Sequence, residues 1–150
     1  MTAINKLAYS TKKYPGFDAF KAEVLRVTAI FGATFKIGKL TRTGLRYVNA
    51  IPFVLKAGCI PLREYLKVGF QLPPPATDSF KTLNFSFASQ VGNGTINVRV
   101  EHMLAEDKSH EAILLDFDYA MQSDLAFDKI EAYLEESHNV TKQMFEGMIT

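Results

Sequence analysis

The chain has 150 residues, a formal net charge of +1, 47% hydrophobic and 22% charged residues, and one cysteine. A chain of this length buries roughly 70% of its unfolded surface, so the composition excludes disorder and favours one folded domain over residues 1–150. The balanced charge argues against binding to nucleic acid or an anionic membrane through net charge alone. A lone Cys59 favours the reducing cytoplasm, and no apolar run predicts a membrane-spanning helix.

The amino-terminal part predicts a short strand followed by an amphipathic helix. Residues Ile4 to Tyr9 suggest the strand, and apolar side chains recur at spacings of three and four after Pro15. Gly32 stands where a left-handed residue would close the helix. The inward positions of the helix are Phe17, Phe20, Val24, either Val27 or Thr28, and Phe31.

Strict alternation from Ile37 to Ile51 predicts the next strand. One face would carry apolar side chains and an amide, namely Leu45, Tyr47, Asn49 and Ile51. The opposite face would carry Arg42, Gly44, Arg46 and Val48. Pro61 then begins a short helix, and the three prolines at 73–75 form a stiff connector.

The second half predicts a three-stranded antiparallel meander. Leu83, Phe85 and Phe87 alternate with polar residues, a turn follows at residues 92–94, and a second alternating run begins at Ile96. After a polar loop, a third strand would place apolar side chains inward. These inward positions are Ile113, Leu115, Phe117 and Tyr119, with Leu114, Asp116 and Asp118 outward.

A long amphipathic helix is predicted from Ser123 or Asp124, as a possible cap, to about Gly147. Its apolar stripe consists of Phe127, Ile130, Leu134, His138, Thr141, Phe145 and Met148. The order of elements predicts the α+β class: an antiparallel sheet of about four to five strands, with the early helix and the long carboxyl-terminal helix packed on one face.

Two carboxylates and two histidines are the candidates for catalytic chemistry. Asp116 and Asp118 lie two apart on one strand face, where two carboxylates could together approach a divalent cation or a reacting proton. The alternative is a simple ion pair, with Arg99 across the ladder from Asp116. His102 and His138 would line the space between sheet and helix, where a histidine held in the core is the commoner role. His110 would lie in a polar loop. The histidine spacings match no zinc pattern, so we expect no metal and no cofactor.

The candidate binding residues lie on the strand that contains Asn49. An unpaired amide among apolar side chains would cost roughly 1 to 3 kcal/mol, so Asn49 should have a partner near Tyr47, at the backbone of Phe53, or in a bound molecule. Arg46 would point to the opposite face unless a bulge intervenes. A basic group on this stretch, Lys36, Lys39, Arg42 and Arg46, also allows anion or nucleic-acid contacts.

The run from Gly44 to Ile51 resembles the GLRYxN signature of a sporadically distributed, uncharacterised prokaryotic protein family. Lys6 to Tyr9 and the ending Phe145 to Thr150 are also similar to that family, and His138 falls near its usual leucine and histidine pair. Members are typically longer at the amino end, so the resemblance implies the later, carboxyl-terminal part of such a protein. It implies no activity.

These observations lead to three hypotheses. The first is a cytoplasmic binding or interaction module without catalytic activity, with Arg46, Tyr47, Asn49 and His138 as binding residues and a protein partner or a second copy as the occupant. The second is a small enzyme using His102, Asp116 or Asp118 in a cleft. The third is a nucleic-acid-binding module based on the basic group.

Overall fold

The computed structural model describes residues 6–77, 79–104 and 111–150. The predicted α+β class is confirmed: an early helix, a long carboxyl-terminal helix and antiparallel sheets make up the fold. The main elements are α1 (Phe17–Phe35), β1 (Lys39–Leu40), β2 (Thr43–Phe53), α2 (Leu62–Tyr65), β3 (Asn84–Val91), β4 (Gly94–Leu104), β5 (Glu111–Met121), β6 (Leu125–Ala126) and α3 (Ile130–Met148). A 3-10 turn at Phe127–Lys129 leads into α3.

The main sheet has four antiparallel strands in the order β2-β5-β4-β3. The predicted hairpin is confirmed, with Val91 opposite Gly94 and Gly92 at φ +55° in the turn between them. Positive φ at the first position of a two-residue turn is readily adopted by glycine. The third strand of the meander, β5, then inserts between β4 and the earlier strand β2.

Alternation along the strands gives the sheet one buried face and one wet face. The buried face, here called the inner face, carries the core side chains Leu45, Ile96, Val98, Val100, Ile113, Leu115, Phe117 and Tyr119, all less than 5% exposed. Burial of this apolar area is the main stabilising contribution to the fold. The outer face carries the polar residues of the same strands.

Helix α3 covers part of the inner face, and the predicted stripe is largely the buried one. Ile130, Leu134, Thr141 and Met148 are buried, and the structure adds Tyr133 and Ser137 to the stripe. The Tyr133 hydroxyl donates a hydrogen bond to the carbonyl of Tyr119 at 3.1 Å, which fixes α3 to β5.

Helix α1 packs mainly against α3, so that it forms a further layer beyond the sheet. Lys21 of α1 pairs with Glu131 at 3.6 Å and also with Glu135. Thr28 is the one buried residue within α1. The helix is therefore attached through a few specific contacts.

The segment between β2 and β3 completes the core at the other end of the sheet. Ile60, Leu62 and Leu66 are buried there, and α2 begins directly after Pro61 as predicted. Lys67 donates its backbone N–H to the carbonyl of Met148 at 2.8 Å, which joins this segment to the end of α3.

Three predictions about strands and about the start of the last helix are wrong. Residues 6–9 of the predicted first strand are not in a strand, while residues 4 and 5 lie outside the described residues. The strand expected from Ile37 to Ile51 is divided into β1 and β2. Ser123 and Asp124 do not cap the last helix, because Leu125 and Ala126 pair with β1 before the chain enters the 3-10 turn.

Gly32 does not end α1, and its physical role is different. The helix continues to Phe35, and Lys36 takes the left-handed conformation with φ 52°. A Cβ at Gly32 would lie 2.6 Å from the Phe127 ring, so glycine is required there for close packing.

Candidate functional site

The outer face of the four-stranded sheet carries several ion pairs among small and polar side chains. Its members come from all four strands: Arg46, Val48 and Ala50 on β2, Asp116 and Asp118 on β5, Asn97, Arg99 and Glu101 on β4, and Ser86 and Ala88 on β3. The side chains of the flanking strands are mostly exposed, and no described helix covers them. The outer face is therefore open to a binding partner.

A two-point ion pair between Arg46 and Asp116 lies at the centre of the outer face. Arg46 donates from Nε to Oδ1 and from Nη2 to Oδ2 of Asp116, both at 2.7 Å. Asp116 is only 7% exposed, whereas the side chain of Arg46 is 59% exposed. The hydrogen bonds that Arg46 donates to Asp116, and the negative charge of Asp116, raise the pKa of Arg46. The pair holds Arg46 in one geometry and leaves its Nη1 group without a described partner.

The neighbouring charges balance one another. Arg42 lies 3.9 Å from Asp118, and Arg99 bonds to Glu101. Arg99 is the ladder partner of Asp116, as predicted, but the salt bridge to Asp116 comes from Arg46. The reason is that β5 lies between β2 and β4, so Asp116 has an arginine on both sides.

A shallow depression of about 530 Å³ opens on the outer face between Arg46 and β3. From β3 it is lined by Ser86, Phe87 and Ala88, of which Ser86 and Ala88 have short side chains on the outer face, and Asn97 lines it from β4. Arg46 and Arg99 both border it. The depression thus combines exposed donors with space for an incoming side chain.

A second cluster lies on the opposite face, where β2, α1 and α3 meet. Tyr47 and Nδ1 of His138 share a hydrogen bond of 3.1 Å, and the Tyr47 hydroxyl lies 3.2 Å from that of Tyr14. The His138 ring stacks on Phe17 with ring centroids 3.9 Å apart. Burial, followed by the bond to Tyr14, raises the pKa of Tyr47. The cluster joins three elements and is half-buried.

Burial and the nearby Lys142 lower the pKa of His138, although Glu135 and Asp18 act in the opposite direction. The neutral imidazole is therefore favoured, and its Nδ1 can accept a hydrogen bond from the Tyr47 hydroxyl. Its contacts with α1 and β2 are those of a residue that holds elements together.

Asn49 shares the inner face with Tyr47, as predicted, but it is not enclosed. Because β2 is an edge strand, Asn49 is only half-buried. No hydrogen bond joins its side chain to residues 6–77, 79–104 or 111–150, so the expected partner near Tyr47 or at Phe53 is not found. Solvent can reach the amide at this edge.

The residues of the enzyme hypothesis lie apart. His102 lies on the inner face, bonded to Glu111 and 5.6 Å from Phe53 between ring centroids. Asp116 and Asp118 lie on the outer face, so the sheet separates them from His102. His110 lies outside the described residues. Among the residues that the structure describes, no group of three His, Cys, Asp or Glu side chains could hold a metal ion.

The basic group is largely neutralised. Lys39 lies 3.4 Å from Asp124, Arg42 lies 3.9 Å from Asp118, and Arg46 is bonded to Asp116. Lys36 stands apart at the end of α1. These residues therefore do not form one continuous cationic strip. Within the described ranges, no helix is long and apolar enough to cross a membrane.

Comparison with known proteins adds no assignment. No protein-family model matches the chain, and neither a curated protein nor a solved structure matches it.

Of the four predicted binding residues, the structure brings Tyr47 and His138 into contact, leaves Asn49 beside them, and places Arg46 on the other face. Sequence reasoning did not include the small residues of β3 in the site. Their signal was present, since Ser86 and Ala88 alternate with Phe85 and Phe87 on a predicted strand.

Proposed function

We propose that the protein is a protein-interaction module without catalytic activity, and that the outer face around the Arg46–Asp116 pair is its binding surface. The observation that carries this proposal is an uncovered four-stranded sheet face on which a buried carboxylate fixes an exposed arginine. A side chain that is already held in place loses less conformational entropy when a partner binds.

The composition of the outer face supports a protein partner over a polyanion. Arginines and carboxylates alternate across it, and two exposed apolar side chains, Val48 and Met103, lie among them. Nucleic acid would require an excess of positive charge, whereas mixed charges with apolar contacts and arginine are typical of protein interfaces.

The inner cluster supports the same proposal in a structural role. The hydrogen bond between Tyr47 and His138 joins β2 to α3, and the stacking of His138 on Phe17 joins α3 to α1. The cytoplasm remains the proposed location because Cys59 has no cysteine partner in the chain. Membership of the GLRYxN family is likewise proposed, on the residues from Gly44 to Ile51.

The experiment compares three tagged forms in cells: the natural chain, Ala88→Trp and Ala132→Trp. Ala88 lies at the floor of the depression, and Ala132 is exposed on α3, so both changes add the same side chain to an exposed position. Chemical cross-linking and quantitative mass spectrometry then measure what each form retains, including untagged copies of the chain.

We expect at least one protein to be enriched at least fivefold by the natural chain and by Ala132→Trp, and to be lost with Ala88→Trp. Identical enrichment by all three forms would refute the outer face as the binding surface. Thermal melting of the purified forms controls for folding, and an unchanged melting curve is expected because position 88 is exposed.

A further inference from the structure

We infer that the outer face binds a second copy of this chain face to face, about a two-fold axis that runs parallel to the strands between β5 and β4. The inference rests on the proposed function, because it names the occupant of the same surface. It follows from the order of the strands and from which side chains each strand presents.

The two-fold axis sets β5 of one copy over β4 of the other. Asp116 and Arg99 are ladder partners, as are Asp118 and Asn97. Rotation about an axis midway between their strands therefore brings Asp116 opposite the second copy's Arg99, and Asp118 opposite its Asn97. Symmetry repeats each contact, so one rotation places both carboxylates of β5, Asp116 and Asp118, opposite donors.

The same rotation sets β2 of one copy over β3 of the other, and their side chains differ in size in a complementary way. The ladder rows align Arg46 with Ala88 and Val48 with Ser86 across the sheet. The long side chains of β2 would thus lie over the short ones of β3. Arg46 of the second copy, still bonded to its own Asp116, would face the depression of about 530 Å³ that Ala88 helps to line.

The size of the outer face allows a weak dimer. The four strands are about 4.8 Å apart and are paired over a length of about 27 Å. The outer face therefore has an area of roughly 500 Å² per copy, or roughly 1,000 Å² for the two copies together. Stable interfaces begin near about 1,200 Å², so a dissociation constant in the micromolar range is expected. Sheets packed in this way lie about 10 Å apart and within about 30° of each other.

Cross-linking tests the register directly. Two single-cysteine proteins are made in a Cys59→Ser background, Val48→Cys with one tag and Ser86→Cys with another, and are mixed with a short bismaleimide. Val48 of one copy faces Ser86 of the other in the inferred dimer, so the mixed pair should cross-link at least tenfold more than either protein alone.

The matched control is the Val48→Cys protein by itself. Two Val48 residues would be about 14 Å apart laterally, in addition to the separation of the sheets, because three strand spacings divide β2 from β3. Cross-linking between two Val48 positions would instead indicate pairing of β2 edge to edge, and it would overturn the face-to-face inference.

Sedimentation equilibrium gives an independent measure. The natural chain should dimerise at high micromolar concentration, and Ala88→Trp or Arg99→Glu should weaken dimerisation at least tenfold, while Ala132→Trp leaves it unchanged. A natural chain that stays monomeric up to 1 mM (about 17 mg/ml) refutes the second copy as occupant. That result would not refute the proposed function. The cellular experiment tests it separately, since a different protein could still bind the natural chain and be lost with Ala88→Trp.

Discussion

Replacement of Arg46 by alanine should destabilise the fold more than replacement of its partner Asp116. Without Arg46, the carboxylate of Asp116, which is only 7% exposed in the intact protein, loses two charge-assisted hydrogen bonds of 2.7 Å. Without Asp116, the exposed guanidinium simply returns to water. The asymmetry follows because a buried charge without a partner is costly, whereas a solvated charge is not.

The magnitude can be bounded from the geometry. Removing one partner of a fully buried ion pair costs about 3–5 kcal/mol. Arg46 is more than half exposed and water can enter from the depression, so we expect about 2 kcal/mol for Arg46→Ala. In a protein of this length that amounts to a fall of about 4–8 °C in Tm.

Urea denaturation at pH 7 and low protein concentration measures all four members of the cycle: the natural chain, Arg46→Ala, Asp116→Ala and the double variant. Asp116→Ala should cost about 1 kcal/mol or less, and the double variant should recover part of the loss seen in Arg46→Ala. Arg42→Ala is the matched control, since its exposed pair with Asp118 at 3.9 Å contributes little. A loss below about 0.5 kcal/mol for Arg46→Ala would refute the argument.

Three further predictions concern packing and pH. Gly94→Ala should cost about 3 kcal/mol in urea denaturation, because the new Cβ would lie 2.4 Å from the buried Tyr119 ring. Gly32→Ala should lower Tm by several degrees through the same overlap with Phe127, despite alanine's better helix propensity; a gain in Tm would contradict it. The pKa of His138 is lowered in the fold, so the unfolded chain binds more protons, and stability should fall as the pH drops below about 6.5 towards the folded pKa. His138→Gln should reduce this dependence of stability on pH. An unchanged dependence would show that other titrating groups cause it.

The parts of the fold that sequence predicts well are those with a local signal. Alternation with a glycine-rich turn is sufficient for the hairpin at Gly92, because each strand's face is set by its own residues. The prediction for the end of α1 was wrong because a glycine near the end of an apolar pattern indicates a helix terminus. The actual role of Gly32 is close packing against Phe127, which is distant in sequence.

The candidate site was harder to predict because it depends on long-range pairing. The two faces of β2 were assigned correctly, so Arg46 and Tyr47 were expected on opposite sides. Which strand would lie beside β2 has no local signal, and the choice of β5 brings Arg46 to Asp116. The helix start predicted at Ser123 was wrong for the same reason. Leu125 pairs with β1, so the chain forms a short strand where a helix cap was expected.

The motif from Gly44 to Asn49 encodes two unrelated surfaces, since successive residues of β2 project to opposite sides. Its even-numbered positions belong to the proposed interface and its odd-numbered ones to the joint with α1 and α3. A single inserted residue before Arg46 would exchange the two sets, sending Tyr47 into solvent and the guanidinium towards the core. Insertions and deletions between Gly44 and Asn49 should therefore be tolerated less well than single substitutions there.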